Sequence, residues 1–240
     1  MSRNIVIGPP GTGKTTFLKN KVDAIIKEGK ARPNQIGYFS FTVKAAEEIR
    51  NRVARGNMSE NELKKMYPYF CTLHSLAYKC LRLEPHEIMD ELDYMELSDM
   101  TGRKFVNKMK KGNGMDFSMP TAQSQYQDTI NLAYAKYPHD EDRLSKIFKE
   151  VKLSDYGARN TILQMDEDLK NFKKARHKLE YVDYFNTFLQ TRNPPHLEYL
   201  FIDEAQDLSA HQWMVVDMIQ QVAQPKETYV AGDDDQAIFR

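Results

Sequence analysis

The chain has 240 residues, 41% of them hydrophobic and 28% charged, which is enough to bury a sizeable core and excludes wholesale disorder. Lysine plus arginine equal aspartate plus glutamate at 34 each, so no global basic balance marks a nucleic-acid binder. The longest apolar runs are short, as in NIVIG and EYLFID. They exclude a membrane-spanning helix, and the N-terminus carries no secretory pattern.

In chain order, residues 4–7 (NIVI) read as a short strand running straight into GPPGTGKTT. Leu18, Val22, Ile25 and Ile26 then recur at helical spacing, and Gly29 suits the helix stop. QIGYFSFT reads as a second strand, and VKAAEEIRNRV as an amphipathic helix with Ala45, Ile49 and Val53 on one face. YFCT followed by LHSLAYKCLRL repeats the strand-to-helix pattern, so the fold class is α/β with a parallel sheet. From about Glu84 to Lys178 the sequence turns polar and helical, with no strand pattern. Residues 1–84 and 179–240 are therefore expected to form one domain, and 85–178 an inserted helical subdomain. From Glu84 on, EPHEIMDELDYMELSD carries seven acids and no lysine or arginine, and GRKFVNKMKKGNG, which begins just after it, five bases and no acid. Such blocks usually make solvated faces, although a basic strip can also track phosphates. Strands return with HLEYLFIDE and ETYVAGD, flanking a helix from Ser209 in which Trp213, Val216 and Ile219 line one side. Cys71 and Cys80 fit no CxxC pattern and read as reduced thiols of a cytosol-like compartment.

Gly8-Pro9-Pro10-Gly11-Thr12-Gly13-Lys14-Thr15 fits the P-loop pattern GxxxxGK[ST], in the required strand-to-helix context. The glycines let the backbone curl with its N–H groups inward, and the helix N-terminus adds partial positive charge for a polyphosphate. Lys14 would reach the β/γ phosphates and the Thr15 hydroxyl would hold Mg²⁺. Thr16 and Gln206 complete the expected nucleotide-side set. A second carboxylate is expected at another strand end. YLFIDEAQD supplies Asp203 for the metal and, beside it, Glu204 to take a proton from the attacking water.

GPPGTGKT, FTVKAAEEI, TLHSLA, FIDEAQDLS and GDDDQAIFR together resemble, in order and spacing, the UvrD/Rep/PcrA-type superfamily 1 DNA helicases over about residues 1–84 and 179–240. The resemblance implies a RecA-like, ATP- and Mg²⁺-dependent motor domain carrying a helical insertion, and YVDYFNTFL around Asp183 resembles the family's return to the sheet. It implies that Gln236 senses the γ-phosphate, with Lys14 and Glu204 as the other catalytic groups, and that Phe239 stacks on a base. Phe41, Thr42, Lys44, Thr72 and His74 are implied to face single-stranded DNA, with ss/ds junctions as the wider substrate and 3′ to 5′ polarity. The implied setting is the cytoplasm of a bacterial or phage-infected cell, or its nucleoid. Bland alternatives stand beside these readings: Phe41 as core, His74 as a structural histidine, GDDDQ as an acidic turn. Two other classes remain, a stand-alone nucleotide or nucleic-acid module and a nucleotide kinase, but a kinase leaves FIDEAQDLS and GDDDQAIFR without a role.

Three departures from the family pattern are expected to matter. No residue upstream of the P-loop strand can play the family's adenine-reading glutamine. The motif at GDDDQAIFR lacks its second aromatic and second arginine. The second RecA-like domain, with the arginines it brings to the γ-phosphate, is expected downstream in a longer chain. Such an arginine is worth about 10³–10⁵ in turnover, so these residues alone are expected to bind Mg²⁺–nucleotide, hydrolyse it barely and unwind nothing.

Overall fold

The structure, a computed structural model, describes residues 2–54, 58–107, 122–138 and 140–233. It divides into two compact units, residues 1–82 with 187–240, and residues 83–186.

The first unit is built on five parallel strands, β1 (Ser2–Ile7), β2 (Ile36–Phe39), β3 (Phe70–Cys71), β4 (Tyr199–Ile202) and β5 (Glu227–Gly232), in spatial order β1-β5-β4-β2-β3. Parallel neighbours need crossovers, and helices supply them: α1 (Lys14–Lys27), α2 (Val43–Val53), α3 (Glu60–Met66), α4 (Leu73–Leu81) and α10 (Ala210–Ala223). The α/β class with a parallel sheet flanked by helices is thus the observed architecture. β2 and β4 are buried at every position, and their apolar runs do not alternate because helices cover both faces of a parallel sheet.

A row of aromatics crosses the sheet in register. Phe70 pairs with Tyr38, Tyr38 with Phe201, and Phe201 with Tyr229. Ring centroids stand 5.6, 6.0 and 4.9 Å apart, and each pair is stacked. Leu18, Val22 and Ile25 of α1 and Ile49 and Val53 of α2 pack into the same core. On α2, Ala46 rather than Ala45 is the deeply buried alanine, and Arg50 is buried too, so its inner face is rotated from the expected stripe. α10 buries a broader face than expected, with Val215 and Met218 joining Val216 and Ile219 while Trp213 is only half-buried.

The helix starts are written locally. Thr42, Ser59, Thr72 and Ser209 each cap the helix that follows by accepting a backbone N–H three residues on. At Ser59 the Glu62 side chain completes a capping box, the signal that starts α3, an element the periodicity did not show. α1 ends at Glu28 and Gly29 takes φ 67°, the left-handed conformation that stops the helix.

The second unit is helical among its described residues: α5 (Glu91–Thr101), α6 (Ala122–Lys136), α7 (Arg143–Glu150) and α8 (Tyr156–Arg176), with one isolated parallel bridge, Ile88 to Leu179. α9 (Tyr181–Thr191) carries the chain back toward β4. Leu97, Ile130, Ile147, Ile162, Met165 and Leu169 form its core. Lys173, half-buried, lies between Glu180 (3.1 Å) and Asp183 (2.7 Å), and Tyr94 donates to Glu180 at 2.6 Å, so the buried Glu180 charge is paired. Among the described residues no helix is long and apolar enough to cross a membrane.

Candidate nucleotide and nucleic-acid site

β1 delivers the chain into the glycine-rich turn, and α1 starts at Lys14 immediately after it. Gly11 and Gly13 adopt φ 77° and 86°, a region other residues enter only with strain, and no atom lies within 4 Å of where a Cβ would sit on either. Gly13 stands at the N-cap without any side-chain cap, and the first turn of α1 carries no acid. The helix start therefore keeps its exposed donors and its positive end for an anion. Thr12 Oγ1 donates to the Pro9 carbonyl at 2.8 Å, which braces the loop. Lys14 Nζ folds back over the loop, donating to the Gly8 carbonyl and, at 3.0 Å, to that of Pro9. Thr15 is half-buried and Thr16 exposed.

The second half of the site arrives from the far end of the chain. β5 lies between β1 and β4, with the Gly8 N–H donating to the Gly232 carbonyl at 3.3 Å, so the carboxyl ends of β1 and β4 come level. Asp203 directly follows β4 and is buried. Its Oδ2 accepts from Thr15 Oγ1 at 3.0 Å and from the Tyr38 hydroxyl at 2.7 Å, and its Oδ1 accepts from the Glu204 N–H at 3.1 Å. Burial pushes the Asp203 carboxyl above the ordinary carboxylate range, and its hydrogen bonds to Tyr38 and Thr15 only partly offset that. A hydroxyl and a carboxylate oxygen 3.0 Å apart form a small, hard donor pair, which fits a Mg²⁺ that keeps waters and shares phosphate oxygens.

Glu204 is held at φ 52°, a left-handed conformation rare outside glycine. Gln206 Nε2 donates to Glu204 Oε2 at 2.7 Å, and Gln206 Oε1 accepts from the Asp233 N–H at 3.1 Å. Gln206 thereby ties the expected base to the end of β5, whose sequence continues toward Gln236 and Phe239. Those two residues lie outside the described residues.

The expected strand-facing residues fall on two strand-to-helix corners. At the β2–α2 corner Phe41 is 47% exposed, and Thr42 and Lys44 are exposed beside it. Lys44 makes no ion pair among the described residues. At the β3–α4 corner Thr72 is buried, and its hydroxyl is engaged with Ser75 as a helix cap. Burial, with His211 nearby, lowers the pKa of His74 to about 4, so at neutral pH the ring is uncharged. Burial likewise pushes the Cys71 and Cys80 thiols up to about 11, leaving them protonated at neutral pH.

A family model described as the UvrD/REP helicase N-terminal domain matches residues 1–240. The chain belongs to that family. The UvrD/REP assignment agrees with the five-stranded parallel sheet and with the loop and acidic pair at its strand ends. The ATP-dependent DNA helicase Rep of Buchnera aphidicola subsp. Schizaphis graminum is 25% identical over 98% of this chain and 35% of its own length. The ATP-dependent DNA helicase PcrA of Leuconostoc citreum is 22% identical over 98% of this chain and 31% of its own. A probable DNA helicase II homolog of Mycoplasma pneumoniae is 21% identical over 99% and 33%. The UvrD/REP chain thus spans about a third of the length of these relatives.

Sequence reasoning missed Tyr38 on the metal-side carboxylate and the linking role of Gln206, whose membership it expected without a mechanism. A tyrosine in an aromatic-rich strand signals core packing, and its hydroxyl's partner lies 165 positions away.

Proposed function

We propose that the chain is the nucleotide-binding motor domain of an ATP-dependent DNA helicase, binding Mg²⁺–ATP at the P-loop and single-stranded DNA along the β2–α2 and β3–α4 corners. The observation that carries the reading is the 3.0 Å contact between Thr15 and Asp203 across 188 positions of sequence, with Lys14 one residue away and Glu204 the next residue on. A turn without a ligand gives no reason for a loop hydroxyl and a distant carboxylate to meet.

In this reading the loop N–H groups and the α1 start bind the phosphates, and Lys14 exchanges the Gly8 and Pro9 carbonyls for β/γ-phosphate oxygens. Thr15 and Asp203 would hold a Mg²⁺, which when bound would supply charge neutralisation at the transferring phosphoryl group. Glu204 accepts the proton of the attacking water, and Gln206 fixes the Glu204 carboxylate. Gln236 is the γ-phosphate sensor and Phe239 a base-stacking group. Phe41 offers a ring to a base, while Thr42 and Lys44 offer a hydroxyl and an ammonium to the backbone. Thr72 acts by fixing its corner, and His74 contributes a neutral ring. Unwinding, 3′ to 5′ polarity and action at ss/ds junctions belong to a longer chain that supplies a second RecA-like domain, and the site of action is the cytoplasm or nucleoid. The division into a motor domain of residues 1–84 and 179–240 and an insertion of 85–178 is part of the same proposal, and so is weak hydrolysis by the 240 residues alone.

The test is steady-state ATP hydrolysis by the longer protein with and without single-stranded DNA, wild type against Glu204→Gln. The expected result is DNA-stimulated turnover that Glu204→Gln cuts by about 10²–10⁴ with nucleotide affinity retained. Turnover within a few-fold of wild type would sink the base assignment.

A further inference from the structure

Away from the P-loop, α2, α3, the end of β3 and α4 border an open cavity of about 550 Å³. Arg50, Lys64, Lys65 and Lys79 line it together with the hydroxyls of Thr72 and Ser75, against one carboxylate, Glu47. Arg50 is 5% exposed, yet its Nε has no hydrogen-bond partner, and its one ion pair among the described residues, to Glu47 Oε1, is 3.7 Å long, too far for a hydrogen bond. A buried guanidinium nitrogen without a partner carries a desolvation cost, which an anion held by the same guanidinium helps offset. Lys65 is exposed and makes no ion pair among the described residues. Lys64 pairs with Glu60 on its own helix, and Lys79 donates to the Pro68 carbonyl at 2.8 Å.

We propose that this cavity is a second phosphate-binding site, with the Arg50 guanidinium as its buried anchor and Lys65 as its mobile clamp. The ligand class is a tetrahedral phosphate oxyanion, for which Arg50 supplies a planar fork of donors and the lysines supply point charges. The cavity shares Thr72 with the β3–α4 corner, so a strand backbone is the first source of that phosphate; free phosphate is the second. The strand source rests on the DNA reading above, whereas the anion site itself does not.

Two arms separate the sources, both in a Lys14→Ala background that silences the P-loop. In the first, thermal unfolding of the chain is followed in inorganic phosphate against chloride at matched ionic strength, for the background, for added Lys65→Gln and for added Arg50→Lys. In the second, binding of a fluorescent oligo(dT) is titrated across salt concentrations for the same three proteins. Stabilisation by phosphate that both added substitutions abolish supports the site. An oligo affinity weakened about tenfold, with the log K against log salt slope shallower by about 0.7 per lost contact, assigns the phosphate to the strand. Loss of the phosphate response with unchanged oligo binding assigns it to free phosphate. Lys65 is exposed, so Lys65→Gln leaves the fold intact. If that variant keeps both the phosphate response and the oligo affinity within twofold, or if the background shows neither, the proposal is overturned. Failure of the helicase reading shows separately, as absence of nucleotide binding by the wild type.

Discussion

Asp203 receives three hydrogen bonds, from Tyr38, Thr15 and the Glu204 N–H, and two of them converge on Oδ2. The Tyr38 phenol is itself held protonated by burial and by the adjacent carboxylate, so it donates to Asp203. Partners behind a metal ligand typically carry about 10–100-fold in metal affinity or activity. Tyr38→Phe is therefore expected to raise the Mg²⁺ concentration needed for half-maximal nucleotide binding by about tenfold, read by titrating the metal at fixed nucleotide; an unmoved midpoint means Tyr38 is merely core. His74 gives a second prediction. Its folded pKa of about 4 lies below the ordinary 6.5, so its neutral form contributes stability that is complete above pH 6.5 and is lost as pH falls through about 4. Urea melts of wild type and His74→Asn between pH 7 and 4 should converge as acid is added; parallel curves contradict the assignment. Lys14, Thr15, Asp203 and Glu204 could be nominated from sequence because each sits in a contiguous motif. Tyr38 and Arg50 could not, since what distinguishes them is burial and partners distant along the chain.

Among the elements, the span of α2, Val43–Val53, is legible because the spacing of Ile49 and Val53 is a local signal, whereas its buried alanine, Ala46, and its Thr42 cap show only in the fold. β4 and β5 are equally plain, as apolar runs ending on acids or glycine. The strand order β1-β5-β4-β2-β3 is another matter, since it is decided by which strands pair across the fold rather than by any window of sequence. The aromatic row shows what those pairings stabilise. Phe201 sits fully buried between Tyr38 and Tyr229 at 6.0 and 4.9 Å, on the strand that presents Asp203. Phe201→Ala removes both stacks and leaves a cavity at the centre of the sheet. The expected cost is about 3–5 kcal/mol, measured as the drop in unfolding free energy in urea. A loss below about 1 kcal/mol would mean that the row does not hold the sheet.

For the molecule as a whole, a neutral composition does not show where charge gathers locally. Four cations around one cavity and an exposed Phe41–Lys44 corner sit in a chain with equal numbers of acids and bases. Membership of the UvrD/REP family, the parallel sheet and the Thr15–Asp203 contact all bear on one claim, that strand ends far apart in sequence form a single Mg²⁺–nucleotide site. The direct measurement is equilibrium binding of a fluorescent ATP analogue to the 240-residue chain, in Mg²⁺ and in EDTA, for wild type, Lys14→Ala and Asp203→Asn. The account predicts saturable, Mg²⁺-dependent binding that Lys14→Ala abolishes and Asp203→Asn weakens about tenfold in Mg²⁺ but not in EDTA. Binding that ignores the metal and both substitutions would contradict it.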